Sequence, residues 1–289
     1  MTLEATGPNA EQIKYWNENA GPKWVALHEF IDRQIHSLGL LAIDRAKVAA
    51  GEQVLDVGCG CGETTFEIAR RVGATGSVTG LDISTPMLER ARAAASAAGR
   101  SNVAFDNADA QTAALPRGRY DLLFSRFGVM FFVDPVAAFT NLRSALKPGA
   151  RLTFVCWRPV QENPWMFVPV MAAAQHIPLP LPAGPDAPGP FGFADTERVR
   201  TILATAGFSD IAFEAADQKV DVGGGLGIDR AVDFLLQMGP TGNAVREVAA
   251  GSDVLDKVTA AVRDALVPYQ TPDGIRMDAA AWITTAKNP

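Results

Sequence analysis

The apolar residues of this chain fall into two rhythms. The short unbroken run Val54-Leu55 with Val57 predicts a strand buried on both faces, as in a parallel sheet, and the segments Ser77–Ser84, Asn102–Phe105, Asp121–Ser125 and Arg151–Trp157 predict further short strands. Between them lie segments that predict helices, one over Pro86–Ala98 closed by Gly99 and one over Pro135–Leu146. Strand and helix alternate, which is the pattern of an α/β protein with helices on both faces of its sheet.

Ahead of this alternation, residues 10–50 predict two or three helices. Tyr15, Trp16, Trp24, Val25, Leu27, Phe30 and Ile31 recur at spacings near three and four and make one apolar stripe. Beyond Trp157 the composition changes. Pro159, Pro164, Pro169, Pro178, Pro180, Pro182, Pro185, Pro188 and Pro190 leave room for one short helix, about Trp165–Gln175. A helix over Thr196–Ala206, a strand starting at Ile211–Glu214, a flexible turn at Gly223–Gly225, two helices (Ala231–Leu236 and 244–267) and a last strand over Ala280–Ala286 complete the expected order. There is no internal repeat.

The chemistry gathers after the first strand, where Gly58, Gly60 and Gly62 stand at alternate positions before a helix. Glycine lets the backbone turn with φ > 0 and lets a ligand lie against peptide groups, and the helix start points free N–H groups at the same place. A dinucleotide fingerprint would put its third glycine at position 63 or 65, which hold Glu63 and Thr65, and a phosphate-cradling loop would need a lysine that is missing here. The loop suits a ligand that touches backbone and carries no phosphate. Asp82 ends the second strand, where a carboxylate either accepts both ribose hydroxyls or caps the helix starting near Thr85-Pro86.

With these residues the chain resembles the class I S-adenosylmethionine-dependent methyltransferases, in particular the subgroup similar to ubiquinone/menaquinone-biosynthesis methyltransferases. The resemblance is carried by Val54–Gly62, Gly80–Ser84 with Met87-Leu88, Asn107–Ala110, Tyr120–Arg126 and Leu146–Leu152, in that order, and covers residues 50 to 157 well. It implies a Rossmann-like, seven-stranded, mostly parallel sheet with an antiparallel last strand, an N-terminal helical lid and an inserted substrate cover. It implies one domain over 1–289, with 1–50 as lid, 51–157 as cofactor-binding core, 158–206 as cover and 207–289 as C-terminal strands with inserted helices. It further implies that Asp56, Gly58 and Gly60 hold the methionine end of S-adenosyl-L-methionine and Asp82 the ribose. Asp109 would bond the adenine amine, Ile83 and Ala110 would pack on the ring, and Met87 and Ser125 would line the same site. Cys61 departs from the threonine or serine common at its position.

Composition narrows the rest. A 48% hydrophobic, 20% charged chain of net charge −6 is an ordinary globular protein with no electrostatic footprint for nucleic acid. Three cysteines, Cys59, Cys61 and Cys156, read as small buried residues rather than a zinc site or disulfide framework, so no metal is expected. The N-terminus carries no basic leader, and no apolar run approaches the ~20 residues that span a bilayer. A cytoplasmic protein is expected, with no membrane partner and a homodimer left open. Trp16 and Trp24 serve packing or face a sulfonium through cation–π attraction. His28, His36 and Arg126 are the catalytic candidates. Each histidine is either solvated or in contact with substrate, and Arg126 pairs with a substrate acid or with a carboxylate of the site itself. His176 is a further base candidate.

The expected activity is methyl transfer to an O, N or C atom of a small, apolar or aromatic molecule, giving S-adenosyl-L-homocysteine. The alternative is a protein that binds the same cofactor without methylating, or uses it electrostatically for decarboxylation or isomerisation. A nicotinamide dehydrogenase is disfavoured by Glu63.

Overall fold

The computed structural model describes residues 3–181, 184, 187–249 and 251–289; Pro182 and Pro185 of the proline-rich stretch lie outside them. The chain opens with α1 (Ala10–Lys14), a π turn (Tyr15–Asn19) and the long α2 (Ala20–Arg45). The alternating region follows: β1 (Gln53–Val57), α3 (Glu63–Val72), β2 (Ser77–Asp82), α4 (Thr85–Ala97), β3 (Val103–Asn107), β4 (Tyr120–Arg126), α5 (Pro135–Ser144) and β5 (Leu146–Trp157). Then come α6 (Pro164–Ala173), α7 (Thr196–Thr205), β6 (Ser209–Val222), α8 (Ile228–Gln237), α9 (Gly239–Glu247), α10 (Ser252–Leu266), β7 (Gln270–Thr271) and β8 (Gly274–Lys287).

Among the described residues the strands form one eight-stranded sheet of order β3-β2-β1-β4-β5-β8-β6, with β7 a two-residue strand on β8. The pairs from β3 to β5 are parallel, and β8 runs antiparallel to both β5 and β6. The resemblance implied seven strands with an antiparallel last one; the seven-strand path holds, with β7 added at its flank. The chain leaves β1 toward β2 and β3 and returns to β4 on the other side of β1. That reversal places a crevice at the carboxyl ends of β1 and β4, where open α/β sheets bind ligands. Val54, Leu55, Leu122, Leu123 and Phe124 are fully buried because α2, α3 and α4 form one helix layer while α5 and α7 pack together in another.

Two expectations need correction. The strand starting at Ile211 and the last strand over 280–286 are each fourteen residues long, and they stay paired from Ala212↔Thr285 to Val222↔Ile275. Their extra length lies beyond Trp157, whose level in the sheet is Ala281, so the pair reaches past the ligand edge. It is hard to read from sequence because β6 shows one exposed face and is built from Ala, Asp, Gln and Lys, which seldom favour strands. The region of the two expected C-terminal helices holds three, since Gly239-Pro240 starts a new helix after α8 and Ala249, at φ 42°, ends α9.

The start of the proline-rich stretch is tied to the sheet by Asn163. This fully buried side chain accepts from the Ala280 N–H at 2.9 Å and donates to the carbonyls of Ala280, Arg158 and Pro159 at 3.0–3.2 Å. Asn163→Ala removes the side-chain partner of the Ala280 N–H and the Arg158 carbonyl, while the Ala280 and Pro159 carbonyls keep the N–H groups of Arg158 and Glu162, and is expected to destabilise the fold by about 2–4 kcal/mol. A urea titration reads this as a lower midpoint at unchanged slope.

Candidate functional site

The first loop at the crevice is fixed by three glycines with φ of 67°, 55° and 94° at Gly58, Gly60 and Gly62. At Gly58 a side chain is also excluded sterically, since a Cβ there would stand 2.7 Å from the Gly128 Cα; at Gly60 a Cβ would meet only the flexible Met87 Cε, at 2.7 Å, and the positive φ is the constraint. The loop is held to β2 by the Gly58 N–H donating to the Leu81 carbonyl at 2.8 Å and the Gly60 N–H donating to Asp82 Oδ2 at 2.8 Å. Gly62 is the N-cap of α3.

Three strand-end carboxylates surround this loop. Asp56, on β1, is wholly buried; its Oδ2 accepts from the hydroxyls of Thr64 and Thr65 at 2.8 and 2.6 Å, and its Oδ1 has no partner. Burial raises its pKa to about 6 against the pull of the two hydroxyls and of Arg126. Asp82, on β2, is pushed upward by burial and pulled back by the N–H groups of Ser84 and Gly60. It is not the cap of α4: Ser84 holds that position, and Asp82 Oδ1 takes the Ser84 N–H at 2.8 Å. Asp109, just beyond β3, accepts from Asn9 Nδ2 at 2.6 Å, from the Thr112 hydroxyl at 3.0 Å and from the Gln111 N–H at 2.9 Å. Glu63, at the start of α3, is likewise raised by burial, with Arg126 opposing.

The N-terminal segment lies over these strand ends. Asn17 donates to the Ile83 carbonyl at 2.9 Å and accepts from the Thr85 N–H at 2.9 Å, the Ser84 hydroxyl donates to the Trp16 carbonyl, and the Leu3 N–H donates to Asn107. Trp16 contacts Trp24 and Phe131 edge-on, with ring centroids 5.8 and 5.1 Å apart. Met87, Ala110 and Ser125 are buried at the same edge, Ser125 Oγ accepting from the Gly128 N–H. At the ends of β4 and β5, Phe127 stacks on Trp157 at 4.1 Å and Trp165 adjoins Trp157 at 5.4 Å.

Of the three catalytic candidates, Arg126 and His36 both face Asp32, whereas His28 has other partners. Arg126 Nη1 donates to Asp32 Oδ1 at 2.7 Å, so it pairs with a carboxylate of the chain itself. Gly39 makes room for it, since a Cβ there would meet the Arg126 Cδ at 2.9 Å. His36 is 56% exposed, with Asp32 at 3.6 Å. His28 Nδ1 bonds the Val25 carbonyl at 3.0 Å and its Nε2 faces Arg90. Asn9, Asn17 and Asp32 carry much of this geometry and went unread in the sequence, where isolated Asn and Asp residues on a helical segment give no signal.

Cys59, Cys61 and Cys156 are free and buried; burial raises each thiol, Cys61 to about 12, so all three remain protonated. Among the described residues no group of His, Cys, Asp and Glu is arranged to hold a metal ion, and no helix is long and apolar enough to cross a membrane. A 520 Å³ cavity between the start of α5 and α7 includes none of the strand-end acids.

Sheet order and glycine loop together give a Rossmann-like α/β fold, mostly parallel with its last strands antiparallel. Residues 49–178 match the family described as a methyltransferase domain. The chain is 36% identical over 117 residues to aklanonic acid methyltransferase DauC of Streptomyces sp. (strain C5), covering 40% of this chain and 53% of that protein. It is 32% identical over 145 residues to the ubiquinone/menaquinone biosynthesis C-methyltransferase UbiE of Methylococcus capsulatus, covering 50% and 58%. The chain thus spans little more than half the length of these relatives. In fold it is similar to the YcgJ protein from Bacillus subtilis, with a TM-score of 0.55 at 16% identity, covering 87% of this chain and 97% of that one.

The buried Asp56 carboxyl should leave a pH signature. Its folded pKa, about 6, lies above the ordinary 3.8, so between those values the folded state holds the proton that the unfolded state has lost. Stability therefore falls as pH rises through this window, by up to about 3 kcal/mol, and is flat with respect to this group above it. Denaturant titrations of wild type and Asp56→Asn across pH 4–7 are expected to show a larger loss in the wild type, the loss that remains in the variant coming from Asp82 and Glu63, which burial also raises.

Proposed function

We propose that this chain is an S-adenosylmethionine-dependent methyltransferase acting on a small, apolar or aromatic acceptor. The observation that carries the proposal is the site itself: a glycine loop with no phosphate-binding lysine, walled by the buried carboxyl of Asp56 and the half-buried carboxyl of Asp82. Such a site favours an adenosyl donor bearing an ammonium and a sulfonium over a phosphorylated nucleotide. Asp56, with one oxygen unpartnered, would face the methionine end together with Gly58 and Gly60. Asp82 would take the ribose hydroxyls, and Asp109 the base, with Ile83, Met87, Ala110 and Ser125 lining the site and Trp16 and Trp24 above it. In the same reading residues 1–289 are one domain.

The acceptor side is argued from the aromatic wall of Phe127, Trp157 and Trp165, and by analogy with relatives named for aklanonic acid and for ubiquinone/menaquinone. When bound, the cofactor supplies an activated methyl group whose leaving group is a neutral thioether. The protein's part is to align the acceptor atom with the methyl carbon, exclude water and balance the donor's charge. A base is needed only where the acceptor must lose a proton. We assign that role to neither His28, whose Nε2 faces Arg90, nor His36, which is solvent-exposed. Arg126, paired with Asp32, acts in this reading as a positioning residue between β4 and α2.

Incubation with S-adenosyl-L-methionine and a panel of phenolic and quinol acceptors should yield S-adenosyl-L-homocysteine together with a methylated product. Binding of the cofactor with no turnover of any acceptor would favour a non-methylating role instead. By calorimetry, Asp82→Ala is expected to weaken S-adenosyl-L-homocysteine binding by about 1–3 kcal/mol through lost charge-assisted hydrogen bonds. Unchanged affinity in a folded variant would refute the ribose assignment.

A further inference from the structure

Asn9 is a polar side chain only 4% exposed, carried by the N-terminal segment onto Asp109. Both of its amide hydrogens are used, on Asp109 Oδ2 at 2.6 Å and on Gln111 Oε1 at 3.1 Å. The opposite amide orientation would set its oxygen against two acceptors, so this one is fixed by charge. Its Oδ1 is buried with no donor, and so is Oε1 of Gln12, one helical turn further on. Asp109 has three of its roughly four lone-pair positions filled, by Asn9, Thr112 and the Gln111 N–H. One position on Asp109 Oδ1 and the buried Asn9 carbonyl, carried by two side chains bonded to each other, are therefore left able to accept. Buried acceptors of this kind are normally paired.

We infer that Asn9, supported by Gln12, is a base-recognition residue: its carbonyl accepts the second hydrogen of the adenine exocyclic amine while Asp109 accepts the first. This rests on the adenosyl cofactor proposed above. A primary amine offers two donors to these two acceptors, whereas a base bearing a carbonyl at that position would bring a third acceptor against them. The N-terminal segment then does more than cover the cofactor, because it reads which base the cofactor carries. A bridging water would satisfy Asn9 equally well but would confer no such preference.

The test is calorimetric binding of S-adenosylhomocysteine and S-inosylhomocysteine to the full chain. The wild type is expected to prefer the adenosyl compound. Asn9→Ala should lose about tenfold in affinity for it, with little change for the inosyl compound. Gln12→Ala should shift the ratio in the same direction. Asn17→Ala, which loosens the segment at Ile83 and Thr85 without touching Asp109, should weaken both compounds and leave the ratio unchanged. An Asn9→Ala ratio equal to that of the wild type, or tighter binding of both compounds, overturns the inference while leaving the cofactor assignment standing. A folded wild type that binds neither compound overturns both.

Discussion

At the carboxyl edge of the sheet two backbones run against each other, with the Gly128 Cα where a side chain of Gly58 would begin. The contact lies where the strand order reverses, and it fixes how far the loops after β1 and β4 stand apart. The Gly58 loop reaches back to β2 through Leu81 and Asp82. The β4 loop turns through Phe127, at a φ of 59° unusual for a bulky residue, and lays that ring on Trp157. The glycine loop and the ring pair of Phe127 and Trp157 are thus spaced by backbone, and backbone has little freedom to adjust.

Around that contact the site concentrates like charge. Asp56, Asp82 and Glu63 are each pushed above the ordinary carboxylate range by burial, with Arg126 the cation that opposes this at Asp56 and Glu63. Buried carboxyls of this kind lack counter-charge, and the fold tolerates them through hydroxyl and backbone N–H bonds rather than ion pairs. A cationic ligand would supply what is missing. In the reading proposed above, the donor form of the cofactor would be held more firmly than its neutral-sulfur product, which helps the product to leave.

The central strands are legible in the sequence because both of their faces are buried, so that Val54-Leu55 and Leu122–Phe124 appear as unbroken apolar runs. The positions of Asp56, Asp82 and Asp109 at strand ends follow from those runs and from the glycine spacing. β6 and β8 were only partly readable: half of β6 faces water, and a run such as Glu214–Lys219 carries no strand signature. The contacts of the N-terminal segment were not readable at all. Asn9 meets Asp109 at a separation of 100 positions and Asn17 meets Ile83 at a separation of 66, and only the folded path of the N-terminal segment brings such pairs together. Arg126 shows the same limit, since its choice of Asp32 depends on a glycine at position 39 of α2.

The π turn at Tyr15–Asn19 separates α1 from α2. Relative to a continuous α-helix, one extra residue turns everything on its far side by about 100°. That rotation decouples the two helices: α2 can present Ile31, Ile35 and Leu38 to the sheet while Asn9 and Ile13 still point down at the strand tips. The widened turn also brings the Trp16 carbonyl to where a side chain at Gly21 would begin, leaving only glycine there. The angle of the N-terminal segment is therefore written into the count of residues between Lys14 and Gly21, so a chain one residue shorter at this point would keep its long helix and aim its first turn elsewhere.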